Sequence, residues 1–318
     1  MEKISSNKIL VTGCCGFIGS HLSISLCKLG FDVVGIDWMR YFRERKLESL
    51  SLLKKFPSFT FIEGDIRDSL PEEHFFCTFH IAALPGVRSS IENPMETIGC
   101  NVGGTTSVFD WASKGFCQNV VYASSSSVYG LSKETPFSEE AIIESPNSPY
   151  AASKVSTETI ASTYCRLFPL RAIGLRFFTV YGPRGREDMA IHKFLTAVSE
   201  GDPLTMFGDG TSSRDYTFVD DIVSGIVGSI HFITNSMPIH SHEIFNLGNS
   251  DPVLLSDLIK LVEKTVGKEA IIHNAPDQLG DVFITFAEIS KARDLIGFEP
   301  QTALSRGLEV TWESMGIN

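Results

Sequence analysis

The stretch Lys8-Ile9-Leu10-Val11-Thr12-Gly13-Cys14-Cys15-Gly16-Phe17-Ile18-Gly19 decides the fold of this chain. Its first five residues form a short apolar run that stops at glycine, the pattern of a buried strand. From Phe17 to Leu29, residues Ile18, Leu22 and Leu26 recur at helical spacing, and Gly30 follows as a stop. Between strand and helix, Gly13, Gly16 and Gly19 spell G-x-x-G-x-x-G. Glycines at such a turn let the backbone come close to a pyrophosphate. The start of the helix then offers unpaired N–H groups and a positive dipole end. Asp37 closes the next strand, 18 residues after Gly19. A carboxylate there can hold both ribose hydroxyls and repels a 2′-phosphate, which favours NAD over NADP. Cys14 and Cys15 read as small loop fillers, since nothing near them in sequence argues for a reactive thiolate.

The same stretch carries no Lys, Arg, Asp or Glu from residue 9 to 27, and Val11-Thr12-Gly13-Cys14 looks like a lipoprotein cleavage box. The apolar run before Cys14 is only Ile9-Leu10-Val11, too short for a signal core. Repeated glycines also do not suit a spanning helix. The expected location is the cytoplasm, with no membrane partner.

Working outward, strands are expected at Asp32–Ile36, Phe59–Glu63, Thr78–Ala82, Asn119–Ala123 and Leu170–Leu175. Helices are expected at Leu47–Phe56, Met95–Lys114 and Tyr150–Phe168. This βαβα rhythm predicts an α/β fold, a Rossmann-type doubly wound parallel sheet covered on both faces. After residue 176 the rhythm loosens and Gly, Pro and Asp become frequent. Helices are expected at Ile191–Glu200, Asp220–Phe232, Leu255–Val266 and Ile289–Leu295. The expectation is a cofactor-binding domain over 1–176, with a segment near 217–248 returning to it. A smaller, loop-rich C-terminal substrate domain spans 177–318, interleaved with the first.

The chain has 318 residues, 43% of them hydrophobic and 20% charged, which reads as a globular protein with room for about two domains. Lys and Arg number 27 against 38 Asp and Glu, a net charge of −11. That balance argues against nucleic-acid binding, whose affinity comes from neutralising phosphates. The seven cysteines include no C-x-x-C pair and read as free thiols, neither a disulfide framework nor a metal site. The eight histidines show no metal-ligand spacing.

Tyr150-Ala151-Ala152-Ser153-Lys154 is Y-x-x-x-K on a helix, and i, i+4 spacing puts phenol and ammonium on one face. A nearby cation favours phenolate, so Lys154 is expected to lower the Tyr150 pKa and fit it as a base. Upstream, Ala123-Ser124-Ser125-Ser126-Ser127 leaves a strand end with hydroxyls able to meet a reacting sugar oxygen.

With these motifs in this order, the sequence resembles the extended short-chain dehydrogenase/reductase family, in its nucleotide-sugar epimerase branch. The resemblance runs from LVTGCCGFIGSHL at the start through GDIRD around Asp65, HIAALPGVRSS at 80–90, YASSSSVYG at 122–130 and YAASK at 150–154. It continues through LRFFTVYGPRGREDMA at 175–190 and FGDGTSSRDYTFVDDI at 207–222. It implies a tightly held NAD and a homodimer formed through the helices Met95–Lys114 and Tyr150–Cys165. It implies Tyr150 as base, Lys154 as its tuner and ribose contact, and Ser125 as hydroxyl partner. For the cofactor it implies Gly13, Gly16, Phe17, Ile18 and Gly19 at the phosphates, Asp37 at the ribose, and Asp65 and Ile66 flanking the adenine. Ala82, Ala83 and Leu84 would line the cofactor, and Asn101 would support the site.

Dehydratases of this type carry acidic residues after the catalytic hydroxyl, where this chain has Ser126 and Ser127. Without a carboxylic acid to protonate a leaving hydroxyl, elimination lacks its general acid. Epimerisation at C4 remains. The segment Val180–Ala190 (VYGPRGREDMA), with Thr179 before it, is similar to that of UDP-glucuronate 4-epimerases. Oxidising C4 of a glucuronate gives a β-keto acid, which loses CO₂ readily. Thr179 and Arg186 holding the C6 carboxylate would suppress that loss. The competing reading has Arg184 and Arg186 in surface ion pairs with Glu187 and Asp188. Arg88, Lys193 and Arg214 are further expected substrate contacts, Arg214 at the diphosphate. The motif Gln278-Leu279-Gly280-Asp281 lacks the arginine common in the family. UDP-glucose or a UDP-N-acetylhexosamine is the alternative substrate, and a non-catalytic NAD-binding scaffold or sensor the alternative of another class.

Overall fold

β1 (Lys8–Thr12) runs in the interior of a seven-stranded sheet and pairs in parallel with β2 (Asp32–Asp37) on one side and β4 (Cys77–His80) on the other. The structure is a computed structural model that describes residues 7–132, 134–143, 145–276 and 282–317. Gln278-Leu279-Gly280-Asp281 therefore lies outside the described residues. The other strands are β3 (Phe59–Glu63), β5 (Asn119–Ser125), β6 (Arg171–Phe177) and β10 (Ser241–Leu247), in the order β10-β6-β5-β4-β1-β2-β3. All are parallel. Direction of winding reverses between β1 and β4, the crevice where open α/β sheets bind ligands. β10 pairs with β6 and forms one edge of the sheet.

Alternation along the strands builds two cores. Ile9, Val11, Val33, Val121, Ile173 and Leu175 face one side, packed with Leu22 and Leu26 of α1 (Phe17–Lys28) and Ile222 and Ile226 of α8 (Val219–His231). Leu10, Val34, Ile36, Val120, Tyr122 and Ala172 face the other. They meet Val108 and Phe109 of α5 (Gly104–Trp111) and Ala161 and Cys165 of α6 (Pro149–Leu167). A strand buried on both faces is the reason these segments read as continuous apolar runs. Ser148 caps α6 through Ala151 N–H, with Pro149 at the first position.

The remaining helices of the sheet region are α2 (Arg43–Leu53), α3 (Val87–Glu92) and α4 (Pro94–Ile98). The expected helix Met95–Lys114 is α4 and α5 joined by a π-turn at Gly99–Gly103, with a second π-turn after Trp111. Gly103 and Gly104 make room there for the loop after β3, since a Cβ on Gly104 would stand 3.0 Å from Ile66 Cδ1.

Beyond β6 lie short strands that the loop-rich reading did not resolve: β7 (Thr179–Tyr181), β8 (Leu204–Phe207), β9 (Ser213–Phe218), β11 (Pro252–Leu254) and β12 (Ile272–Ala275). With α7 (Ala190–Glu200), α9 (Leu255–Val266), α10 (Ser290–Ile296) and α11 (Leu304–Met315) they complete the elements. Leu195, Val198, Leu258, Val262 and Leu308 form a separate third core. α11 is a helix beyond those expected from the sequence, and Gly307 lies inside it. That glycine is demanded by packing: a Cβ there would fall 2.0 Å from the Tyr181 hydroxyl.

Among the imidazoles held by this packing are His80 and His242. His80 lies between Thr12 and Thr105 hydroxyls at 2.8 and 3.1 Å, and His242 shares a 2.8 Å hydrogen bond with Tyr122. Burial, with the Lys154 charge adding to it, pushes His80 down to about 3, and burial pushes His242 down to about 4. The unfolded chain takes up these protons near pH 6.5 while the native state refuses them. Stability contributed by the neutral rings is therefore lost as pH falls from about 6.5 towards 4, by at most about 1.4 kcal/mol per ring per pH unit. Ring-proton NMR titration is expected to give midpoints below pH 5 for both; midpoints near 6.5 would contradict it.

Candidate active site

The carboxyl ends of the strands open into one cleft of about 1850 Å³. That is roughly twice the upper range of a single small-molecule pocket, enough for a dinucleotide and a second ligand together. Gly13, Gly16, Phe17, Ile18, Gly19, Asp37, Asp65, Ile66, Ala82, Ala83 and Leu84 line it. So do Ser125, Ser126, Ser127, Tyr150, Lys154, Arg88, Thr179, Arg186, Lys193 and Arg214. Among the expected site residues, only Asn101 is set back. It is buried, accepts from Leu84 N–H at 2.7 Å, and donates to Leu84 O and Ser153 Oγ. Its place behind the wall is that of a support.

The glycine loop is shaped by close backbone approach. Gly13 has φ +72°, and a Cβ on it would meet the Ala82 backbone at 2.8 Å. A Cβ on Gly19 would lie 2.0 Å from Gly13 O. Gly16 begins α1 with no side-chain cap, and the first turn holds no acidic residue. The N–H groups there face the cleft with neither a competing cap nor a repelling charge.

Asp37 is buried and accepts from Cys15 N–H at 2.9 Å and from Lys46 Nζ at 2.6 Å. Lys46 also donates to Trp38 O. Sequence reasoning missed Lys46, whose side chain returns from α2 to the carboxylate. Asp65 is likewise engaged. Arg67 donates to it from Nε at 3.0 Å and holds the carboxyl below its usual range. Trp38 lies near two guanidiniums, Arg40 at 5.0 Å and Arg67 at 5.1 Å from its ring.

Tyr150 and Lys154 share one face of α6, with the ammonium 5.9 Å from the Tyr150 ring. Lys154 donates to Ala123 O at 2.8 Å, and burial pushes it down to about 8, with Glu158 opposing. The ammonium is still the dominant form at pH 7. Burial raises the Tyr150 pKa, partly offset by Ser125 and by the Arg186 charge. Ser125 also accepts from Ser127 N–H at 3.1 Å, which fixes the serine turn.

Glu158 was also missed, although it continues the Tyr150–Lys154 stripe by one further i+4 step. It accepts from Ser124 Oγ at 2.5 Å and from Arg176 at 2.9 and 2.8 Å. Arg176 reaches on to the Tyr129 hydroxyl, which donates to Asn246. This buried chain ties α6, β5, β6 and β10 together directly behind the cleft.

Arg186 donates from Nε to Asp188 at 2.9 Å and from Nη2 to its second oxygen, which leaves Nη1 outside that pair. The competing reading holds for Arg186–Asp188 but not for Glu187, which pairs with Arg45 of α2. Arg184 sits at φ +58° with Nε buried and lacking a hydrogen-bond partner among the described residues. Arg88 stacks over Phe207 at 5.2 Å, and Arg214 donates to Ser213 O and Phe283 O. The neighbouring Asp215 is structural: it accepts from the N–H groups of Asn249, Ser250 and Ala287.

The NAD dependent epimerase/dehydratase family matches residues 9–248. A UDP-glucuronate 4-epimerase of Thermodesulfobacterium geofontis is 36% identical over 319 residues, covering 97% of this chain and 96% of that protein. UDP-glucuronate 4-epimerase 1 of Arabidopsis thaliana is 38% identical, with 96% of this chain and 76% of that protein covered. Among solved structures, UDP-glucuronic acid 4-epimerase from Bacillus cereus, in complex with UDP-glucuronic acid and NAD, superposes with a TM-score of 0.90 at 35% identity. The match covers 97% of this chain and 99% of that one. The glycine loop, the reversal in winding beside it and the Tyr150–Lys154 pair are thus those of a chain that belongs to the NAD dependent epimerase/dehydratase family.

Proposed function

We propose that this protein is an NAD-dependent UDP-glucuronate 4-epimerase. The observation that carries the reading is the Arg186 guanidinium, on the cleft wall with Thr179 and close enough to Tyr150 to bias its phenol. An uncapped helix start, glycines whose Cβ atoms would obstruct the groove, and a carboxylate at the end of β2 fit NAD. Bound NAD supplies a hydride acceptor and the positive charge of an oxidised nicotinamide.

Tyr150 takes the proton of the sugar 4-hydroxyl, and Ser125 holds that oxygen's neighbourhood through its hydrogen bond to the phenol. Lys154, anchored on Ala123 O, keeps a cation beside the developing phenolate. Because burial raises the Tyr150 pKa, the free phenol is a poor base. The cations gathered by a loaded cleft are what make it competent. With the C4 hydride lost to bound NAD, the 4-keto sugar would present its other face and regain that hydride there, and Tyr150 would give back the proton. No carboxylic acid stands at Ser126 or Ser127 to expel a hydroxyl.

Arg186 and Thr179 fix the C6 carboxylate at the stage when it is β to a ketone. Loss of CO₂ requires the breaking C–C bond to align with the carbonyl π system, and a guanidinium fork holds the carboxylate away from that torsion. The pair with Asp188 sets the guanidinium plane and leaves Nη1 for substrate. Free thiols at all seven cysteines fit a reducing cytoplasm, and no described helix is long and apolar enough to cross a membrane. Met95 and Ile98 of α4 are 84% and 37% exposed, an apolar face suited to pairing two copies through α4, α5 and α6.

Tyr150→Phe is expected to lower turnover of UDP-glucuronate at least 100-fold while NAD and nucleotide binding persist. An active variant would remove Tyr150 from the mechanism, and an equally inert wild type would favour a scaffold. Arg186→Ala is expected to slow epimerisation at least 10-fold and to release a UDP-pentose, resolved by anion-exchange chromatography. Full activity without pentose would contradict the carboxylate contact, and turnover of uncharged sugars alone would move the substrate to a UDP-hexose. Sedimentation is expected to show a dimer that Met95→Glu shifts towards monomer; a monomeric wild type would contradict it.

A further inference from the structure

The phosphate loop contains a feature the epimerase reading does not use. Cys14 and Cys15 are adjacent, 0% and 2% exposed, with their sulfurs 3.7 Å apart. Their Sγ atoms and an Asp37 carboxylate oxygen all lie within 4.8 Å of one another. Two thiolates bound to zinc at about 2.3 Å across a tetrahedral angle sit roughly 3.8 Å apart. A disulfide would need the sulfurs at about 2.0 Å. The spacing is thus that of a chelating dithiol.

We propose that Cys14, Cys15 and Asp37 form a site for one thiophilic divalent cation, zinc or cadmium, in the cofactor-free protein, and that its occupancy excludes NAD. The donor set, two sulfurs and one carboxylate oxygen, suits such a cation and leaves a fourth tetrahedral position for water. Binding forms two metal–sulfur bonds and one metal–oxygen bond, and the two thiol protons pass to solvent. Asp37 Oδ1 keeps Lys46, while Oδ2, which accepts only Cys15 N–H among the contacts above, has a lone pair to spare. Entry is from the cleft, which Cys15 lines. Cys14 lies beneath, so close to Gly35 that a Cβ there would fall 2.6 Å from its sulfur. Drawing both sulfurs onto one cation takes Asp37 from the ribose position and tightens the loop that receives the pyrophosphate.

The competition rests on the NAD reading; the metal binding does not. The test is a cadmium titration of the full chain, as purified and after removal of bound dinucleotide. It is followed by thiolate-to-cadmium charge-transfer absorbance and by metal content after gel filtration. One cadmium per chain is expected in the stripped protein, weakened at least 10-fold in Cys14→Ser and in Cys15→Ala, each checked for folding by circular dichroism. Cys27→Ser, a buried thiol of α1 outside the cluster, is expected to bind as the wild type does. Unchanged affinity in either folded cluster variant, or equal loss in Cys27→Ser, overturns the site. Saturating NAD is expected to block cadmium uptake. If NAD binds, measured by calorimetry, and cadmium still enters undiminished, the exclusion is overturned. If NAD does not bind, the cofactor reading fails and the two cluster variants decide the metal site alone.

Discussion

Lys154 crosses the floor of the cleft to the carbonyl of Ala123, and most of the active-site geometry depends on that one contact. A buried ammonium is costly, which is why its pKa falls to about 8. Two arrangements offset the cost. A strand-end carbonyl receives it, and Glu158 stands one helical turn further along the same face. Glu158 is itself held by Ser124 and Arg176, so the serine turn, the sheet and the catalytic helix form one hydrogen-bonded block. The positions of Tyr150 and Ser125 follow from this block.

The legible parts of this protein are those whose constraint is local. The glycine loop could be read because its three glycines recur at regular spacing between a strand and a helix, although the atoms that Gly13 answers to belong to Ala82, and the tyrosine–lysine pair because i, i+4 spacing shows on any helix. Residues whose partners come from distant elements could not. Lys46 matters through a carboxylate on β2, and Arg67 through the Trp38 ring at the end of that strand as well as through its neighbour Asp65. Glu158 was within reach as the next position of the stripe, but its Arg176 partner comes from a strand. The sign of the Tyr150 shift was not legible because it depends on depth of burial, which pattern does not report. The helix α11 hid behind Gly307, a residue chosen by Tyr181 from across the fold.

Charge shows the same division between total and place. A net charge of −11 describes the exterior, yet Arg88, Arg184, Arg186, Lys193 and Arg214 all line one cleft. Local cations and an uncapped helix start are what an anionic dinucleotide and an anionic sugar nucleotide require. Burial raises the Tyr150 pKa in the same place, and the Arg186 charge opposes it.

In epimerisation through bound NAD, hydrogen leaves C4 and returns to it without meeting solvent. UDP-glucuronate carrying deuterium at C4, incubated with the purified protein, tests it by mass spectrometry and NMR of the products. The expected product is UDP-galacturonate with the deuterium retained at C4, and none lost to water. Deuterium exchanged into solvent, or epimer formed with protium at C4, would contradict it.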